Sequence, residues 1–405
     1  MKVMFINAVY GYGSTGVIVR DLEQMLLEHD EEAMVVYQNA DIQPINGYRV
    51  GNLLDWKYHA LYTRIWGKQA YASVYATKKL AEYIKKETPD IVHLHNLHSN
   101  YINLKILLSC LIEKQIPIVL TLHDCWFFTG KCCHFVGCNC EKWKIECNQC
   151  PQNKSDVKSM FFDNTTRVFK DKKELFQDVQ HLTIVGCSEW IRDLARQSPM
   201  FQGKRFECIH NGVDIQMFSP KNEEEVRNKY NLQEHFVILG MANKWMDSRN
   251  TKILSMILNN MDENDRLVLV GCRDGQKELL RNNEKVLMLD FIYDRNEMAE
   301  LYSMSNVFIN LTFEDTLPTV NMEATCCGTP VITYDSGGCA ELVKHNETGY
   351  IISPLDGVAL QDAIFNIKKH KISRETCRQY GEVHFDNQKR YIDYLDLYRN
   401  LLNNS

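Results

Sequence analysis

The chain has 405 residues, 45% of them apolar and 24% charged, with 46 basic against 52 acidic side chains and a net charge of −6. That length gives two or three domains with ample cores. That balance excludes a disordered or collagenous chain and a globally basic nucleic-acid binder. No run of about 18 apolar residues occurs, which excludes a membrane-spanning helix. The opening MKVMFINAVYG is too soon broken for a secretory leader, so the sequence reads as cytosolic.

Residues 2–9 form the first expected strand. A glycine-rich turn follows, and residues 17–27 then carry apolar side chains at helical spacing. Residues 33–37, 91–94, 118–122 and 182–185 are further short apolar runs separated by helical stretches. Strands without polar alternation, joined through helices, predict a parallel sheet covered on both faces. Residues 216–234, with Pro220 and the charged run KNEEEVRNK, read as a linker. A second set of strands follows at 236–240, 267–270, 286–289, 307–310 and 330–334. In the tail, residues 378–402, Tyr391, Leu395, Tyr398 and Leu402 recur at helical spacing, and this helix is expected to pack back on the first domain. The fold class is α/β, with one doubly wound domain over 1–215, a second over 235–377, and the tail over 378–405.

Gly11, Gly13 and Gly16 make a G-x-G-x-x-G turn between a strand and a helix. Small residues let backbone approach an anion at a helix N-terminus. A dinucleotide site would also place an acid at the end of the next strand. Here that strand closes on Tyr37, Gln38 and Asn39, and Asp41 lies beyond it. Anion or sugar contact, a plain tight turn and a nicotinamide-dependent oxidoreductase remain as readings of this turn.

A second motif runs from Phe313 to Glu323 and on through Gly328 to Pro330. Pro318 suits the first turn of a helix, where its missing N–H costs nothing. The first-turn N–H groups of Thr319, Val320 and Asn321 can then face a diphosphate. Asp315 stands before this helix and Glu323 on it, where a carboxylate can accept two ribose hydroxyls. The alternative is a helix with capping acids. Gly337 and Gly338 make another anion-friendly turn, with Glu341 just after.

Seven of the fifteen cysteines fall between positions 125 and 150. Cys147 and Cys150 have the C-x-x-C spacing at which two thiolates grip one tetrahedral ion. A second pair would come from Cys132 or Cys133 and Cys138 or Cys140. A structural zinc site, free thiols and redox use are the three readings. His93, His95 and His98 close a strand with Asn96. They lack an acidic or cysteine partner nearby in sequence, which favours polar lining over metal. Residues 56–86 carry Lys57, Arg64, Lys68, Lys78, Lys79, Lys85 and Lys86 against one acid, Glu82, interleaved with Trp56, Tyr58, Tyr62, Trp66, Tyr71 and Tyr75. Such a surface suits peripheral contact with an anionic membrane or a lipid-diphosphate acceptor, or else is an ordinary solvated face. No Asp-x-Asp occurs, so a divalent ion held in that way is not expected.

The order of these motifs, with Asn211 and Gly212 in Ile-His-Asn-Gly-Val-Asp between them, resembles glycosyltransferase family 4, and is most similar to its bacterial polysaccharide-assembly branch. The resemblance covers residues 2–400. It implies a GT-B fold, two Rossmann-like domains facing a cleft, and a retaining transfer from a nucleotide-sugar donor to a glycan or lipid-linked saccharide. It places Asp315 near the donor sugar, with Glu314 as a rival, and Glu323 on the ribose. The diphosphate falls to Arg249 and a second cation. Asn250 stands where the pattern has lysine, so Lys244 or Lys252 would substitute. His123 would contact the donor sugar. Gly13, Gly16, Asn211, Gly212, Pro318, Thr319, Val320, Asn321, Gly337 and Gly338 would line the donor. Gly11, Ser14, His95, Asn96 and His98 would line the acceptor side. A Cys-x-x-Trp element points to Cys140, and with Cys132, Cys147 and Cys150 it would hold a structural zinc in a loop over 125–151. A non-catalytic zinc-loop protein on a transferase fold is the remaining alternative.

Overall fold

The computed structural model describes residues 1–403. The chain forms two compact units: Met1–His210 together with the residues from Tyr391 onward, and Asn211–Arg390.

In the first unit the strands are β1 (Lys2–Ile6), β2 (Val9–Tyr10), β3 (Glu32–Tyr37), β4 (Asn39–Ala40), β5 (Gly47–Arg49), β6 (Ile91–Leu94), β7 (Ile118–Leu122), β8 (Leu182–Gly186) and β9 (Arg205–Cys208). The helices are α1 (Gly13–Glu28), α2 (Leu53–Trp66), α3 (Val74–Glu87), α4 (Leu104–Glu113), α5 (Thr165–Asp178) and α6 (Glu189–Arg196). Seven strands form one sheet in the order β5-β3-β1-β6-β7-β8-β9, and β2 pairs with β4 separately. All pairings in the sheet are parallel. The chain winds from β1 outward through β3 to β5, then returns to β6. The sheet therefore switches direction between β1 and β6, and a ligand crevice opens at the carboxyl ends of strands at such a point.

The second unit contains β10 (Phe236–Met241), β11 (Asp265–Val270), β12 (Val286–Leu289), β13 (Val307–Asn310), β14 (Val331–Tyr334) and β15 (Gly349–Ile352), in the order β12-β11-β10-β13-β14-β15. Its helices are α7 (Glu223–Tyr230), α8 (Ala242–Trp245), α9 (Thr251–Asn260), α10 (Asp274–Leu280), α11 (Arg295–Met304), α12 (Thr319–Cys326), α13 (Gly357–His370) and α14 (Arg374–His384). Ile238, Leu267, Val307 and Ile332 fill its core with Ile253, Ile257 and Leu360.

Three boundaries differ from the sequence reading. The second unit starts at Asn211, not after a linker. The charged run is α7, whose buried Arg227 donates to the carbonyls of Leu232 (3.1 Å) and His235 (2.8 Å) and to Asn306 Oδ1 (2.9 Å). The tail breaks after His384. Arg378 on α14 donates to the carbonyls of Ile215, Phe218 and Cys326, which holds that helix in the second unit. Only the last helix, α15 (Asn387–Asn403), passes into the first unit. There Tyr391, Tyr394, Leu395 and Tyr398 pack on Val3, Phe5, Ile18 and Leu22. Each ring so buried contributes about 2–3 kcal/mol.

Candidate functional site

In the second unit β13 ends in the loop that carries Glu314 and Asp315, and α12 begins at Thr319 with Pro318 as its N-cap. Pro318 thus lies one position before the helix. The turn after β14 is clasped to this loop. Gly338 N donates to Asp315 O at 3.0 Å, and Ser336 Oγ donates to Thr312 O at 2.6 Å. Gly337 has a φ of +58°, and a Cβ there would stand 1.9 Å from Asp315 O. Only glycine permits that approach. Asp315 and Gly337, 22 positions apart, are thereby one structural feature.

Positive charge gathers beside it. Lys244 at α8 donates to Thr312 Oγ1 at 2.9 Å. Its neighbour Trp245 is buried because Gly240 leaves room for the indole, which donates to Ile309 O at 3.0 Å. Arg249 bonds both oxygens of Asp247, at 3.0 and 2.7 Å, and its guanidinium lies 4.1 Å over the Phe313 ring. The bond to Asp247 raises its pKa. Asn250 is fully buried. Its amide donates to the carbonyls of Lys244 and Leu311, both at 2.8 Å, and its oxygen accepts from Tyr334 Oη at 2.9 Å. It braces the loops and offers no place for a cation. Lys252 is exposed on α9, so Lys244 is the lysine that stands at the Thr312 loop.

Glu323 is half-buried and accepts from Tyr302 Oη at 3.1 Å. Burial raises its pKa against the opposing effect of Arg295 and the hydroxyls of Tyr302 and Thr319. Two of the expected donor residues also make structural contacts. Asn321 is completely buried and accepts from Asn310 Nδ2 at 2.9 Å, so its side chain joins α12 to the sheet. Gly212 faces the tail, where a Cβ would stand 2.3 Å from Asn387 Cα; Asn211 beside it is buried. Thr316 was missed. Its hydroxyl is buried next to Asp315 without a partner.

In the first unit α1 begins at Gly13, earlier than the apolar spacing suggested, so Gly13 and Gly16 lie inside the helix. Gly11, with a φ of +81°, donates its N–H to Gly16 O at 3.0 Å; Gly13 and Ser14 are exposed. Asn7, overlooked in the sequence, ties this turn to the next strand. It donates to Val9 O at 2.8 Å and accepts from Asn96 N at 3.1 Å. The three strand-end histidines then divide. His93 bonds Tyr398 Oη (2.6 Å) and Thr121 Oγ1 (2.7 Å), and so serves the contact with α15. His95 Nδ1 shares a hydrogen bond of 2.9 Å with His123 Nε2, while its buried Nε2 has no partner. Burial pulls the pKa of His123 down to about 4 and that of His95 well below the usual range. His98 bonds Asp124 Oδ2 at 2.7 Å. Burial alone would depress His98, but Asp124 outweighs it and raises the pKa. Sequence distance had hidden this acidic partner.

The cysteine loop sorts its thiols. Cys132 and Cys147 are buried, and Gly130 N donates to Cys147 Sγ at 3.3 Å. Cys132 is within the electrostatic reach of Cys147 and Cys150, and Cys147 within that of Cys140 and Cys150. Burial raises the thiol pKa of both Cys132 and Cys147, the latter to about 12. Among the described residues no three of these four sulfurs lie within 4.8 Å of one another, a spread wider than a closed tetrahedral site. Cys138 turns to Phe135 O, and Cys133 to His98 and Asp124.

Among the described residues no helix is long and apolar enough to cross a membrane. The family model of Glycosyl transferases group 1 matches residues 222–384. N-acetyl-alpha-D-glucosaminyl L-malate synthase of Bacillus anthracis is 23% identical over 338 residues, spanning 80% of this chain and 78% of its own. The UDP-Gal:alpha-D-GlcNAc-diphosphoundecaprenol alpha-1,3-galactosyltransferase of Escherichia coli is 24% identical over 217 residues, spanning 49% of this chain and 55% of its own. The structure of HepE from Anabaena in complex with UDP superimposes with a TM-score of 0.66 at 16% identity, covering 99% of this chain and 100% of that one, which shows the GT-B fold. The model of Glycosyltransferase Family 4 matches residues 15–217, half of the chain, and the protein accordingly belongs to that family of glycosyltransferases, not to the nicotinamide-dependent oxidoreductases.

Proposed function

We propose that the enzyme moves a sugar, with retention at the anomeric carbon, from a nucleoside-diphosphate donor to a glycan or lipid-linked saccharide in the assembly of a cell-surface polysaccharide. The observation that carries this reading is the clasp of Gly337 and Gly338 on Asp315 at the entrance to α12. It brings the helix start, Lys244 and the acid loop into one place. Backbone N–H groups of Thr319 and Val320 with Lys244 and Arg249 would receive the diphosphate. Glu323 would accept the ribose hydroxyls, and Asp315 would stand by the sugar. The acceptor hydroxyl attacks on the face the nucleotide leaves, and the departing phosphate oxygen takes its proton. His123, kept neutral by burial, would donate or accept a hydrogen bond at the sugar without adding charge. His95, Asn96, Ser14 and Gly11 would line the acceptor side. The E. coli relative, whose printed name gives a UDP-sugar and a lipid diphosphate, supports these classes.

The four thiols Cys132, Cys140, Cys147 and Cys150 suit a structural zinc by donor type, though the described sulfurs stand wider apart than a closed site holds them. The enzyme works at the inner face of a membrane, where α2 supplies the contact. Thermal-shift measurements with UDP-, GDP-, ADP- and dTDP-sugars test the donor reading. A matched donor at 100 times its Kd should add about 2.7 kcal/mol of stability. Asp315→Ala should then lower kcat more than it weakens donor binding, and Glu323→Ala should do the reverse. Equal losses in both parameters for both variants would contradict these roles.

A further inference from the structure

His98, Asp124 and Cys133 bring an imidazole nitrogen, a carboxylate oxygen and a thiol sulfur within 4.8 Å of one another. Each is fixed by a separate contact. Asp124 Oδ1 accepts from Trp126 N at 2.8 Å, which turns Oδ2 towards His98 Nε2. The backbone of Cys133 is pinned on both sides. Its carbonyl accepts from Cys125 N at 2.9 Å, and its N–H donates to Asp156 Oδ2 at 2.7 Å. The carbonyl of His98 accepts from the Gln69 amide, and its ring lies 5.8 Å from the Trp126 ring. The side chains of His98 and Asp124 keep 18% and 11% exposure, so an ion can reach them.

We propose that these three side chains bind one divalent transition-metal ion of the zinc class, at a site separate from the four-thiol set. The donors are one nitrogen, one sulfur and one carboxylate oxygen, the ligand types zinc takes in its sites. At bond lengths of about 2.0–2.3 Å tetrahedral ligands stand about 3.3–3.7 Å apart, so His98 Nε2 and Asp124 Oδ2, 2.7 Å apart, separate slightly to admit the ion while Cys133 Sγ lies within 4.8 Å of both. Binding releases the Cys133 thiol proton to solvent and takes the Nε2 proton of His98 out of its bond with Asp124; that proton leaves to solvent from an imidazolium or moves to Nδ1 of a neutral ring, so the bound imidazole is neutral. A doubly charged ion with one thiolate and one carboxylate is neutral, which the surroundings tolerate. Lys172, whose charge acts on His98 and Cys133, already donates to the carbonyls of Trp126 (2.6 Å) and Thr129 (3.3 Å). Three protein ligands leave a fourth position to exchangeable water, unlike a closed structural site. Cys132 and Cys133, adjacent in the chain, thus serve different clusters. This proposal stands whether or not the donor assignment above is right.

The test is metal titration of the chelator-stripped full chain with Zn²⁺ and with Co²⁺, whose absorption reports thiolate ligands. His98→Ala, Cys133→Ser and Asp124→Asn are compared with the wild type and with Cys147→Ser. Asp124→Asn keeps a hydrogen bond to His98 but removes the anionic ligand, and the melting temperature of the metal-free variants checks that the fold survives. The expected result is that each of the three variants loses one ion per chain, with a cobalt band of single-thiolate intensity, and that Cys147→Ser keeps that ion. An unchanged ion count and spectrum in all three would overturn the proposal. So would a single ion lost in both Cys133→Ser and Cys147→Ser, because that is one shared site.

Discussion

Asn250 occupies a position where the resemblance expected a cation, and its environment explains why none can sit there. The side chain is fully buried and uses its amide on two backbone carbonyls and its oxygen on a tyrosine hydroxyl. A lysine at 250 would leave the Tyr334 hydroxyl without its acceptor and bury a charge among carbonyls. Unsatisfied buried groups cost about 1–3 kcal/mol each. Asn250→Lys should therefore lower the unfolding free energy by about 3 kcal/mol in urea denaturation without improving donor binding. A gain in donor affinity at unchanged stability would return the cation role to this position. The conclusion carries over to Lys244, which is braced by the same loop and left as the lysine at Thr312. The acid loop, the helix start and the glycine pair were all legible in the sequence, because each rests on local chemistry. The contacts that join them were not. Asp315 to Gly337, His98 to Asp124 and Asn7 to Asn96 link different strand ends, and no spacing rule reaches across a parallel sheet.

Secondary elements follow the same division. Strands buried on both faces, such as β7 and β13, stood out as unbroken apolar runs. The edge strands β5, β9 and β15 did not, since half-exposed strands carry residues such as Arg205 and Tyr350 that mimic loop. The tail read as one helix because its periodicity survives the break after His384, while Arg378 holds α14 in the second unit. At this scale α2 makes the clearest prediction. Leu54, Tyr58 and Leu61 are 75%, 63% and 58% exposed and fall on one stripe of the helix, with Lys57 and Arg64 exposed alongside. At the end of the same helix Trp66 stacks on Phe162 at 4.7 Å, and Phe161 beside it is exposed. Apolar side chains flanked by cations bind anionic bilayers through both terms. Co-sedimentation with vesicles containing phosphatidylglycerol should retain the wild type and release Leu54→Asp/Leu61→Asp. The double variant should melt as the wild type does, because neither leucine is in the core. Equal retention of both proteins, or equal binding to neutral vesicles, would mean that the stripe has another use.

Across the whole molecule the buried histidines are distributed unevenly. His59, His93, His95 and His123 all lie in the first unit, and burial lowers the pKa of each. Their folded values fall below the 6.5 of the unfolded chain, so the unfolded state binds more protons as the pH drops. Stability is then full above about pH 6.5 and is lost progressively as the pH falls towards the folded values. For His59, lowered to about 4, the loss between pH 7.5 and 5 is about 2 kcal/mol. His59 is the cleanest reporter, since it stands apart from the strand-end cluster, its ring bonding Ser73 Oγ at 2.8 Å through Nδ1 while Nε2 has no partner. His59→Asn should be less stable than the wild type at neutral pH, because a cavity replaces the ring. It should nevertheless lose about 2 kcal/mol less on acidification to pH 5. Urea denaturation of both proteins at the two pH values measures this directly. Parallel pH dependences would mean that the His59 ring takes up its proton in the folded state, and that the acid sensitivity of the first unit arises elsewhere.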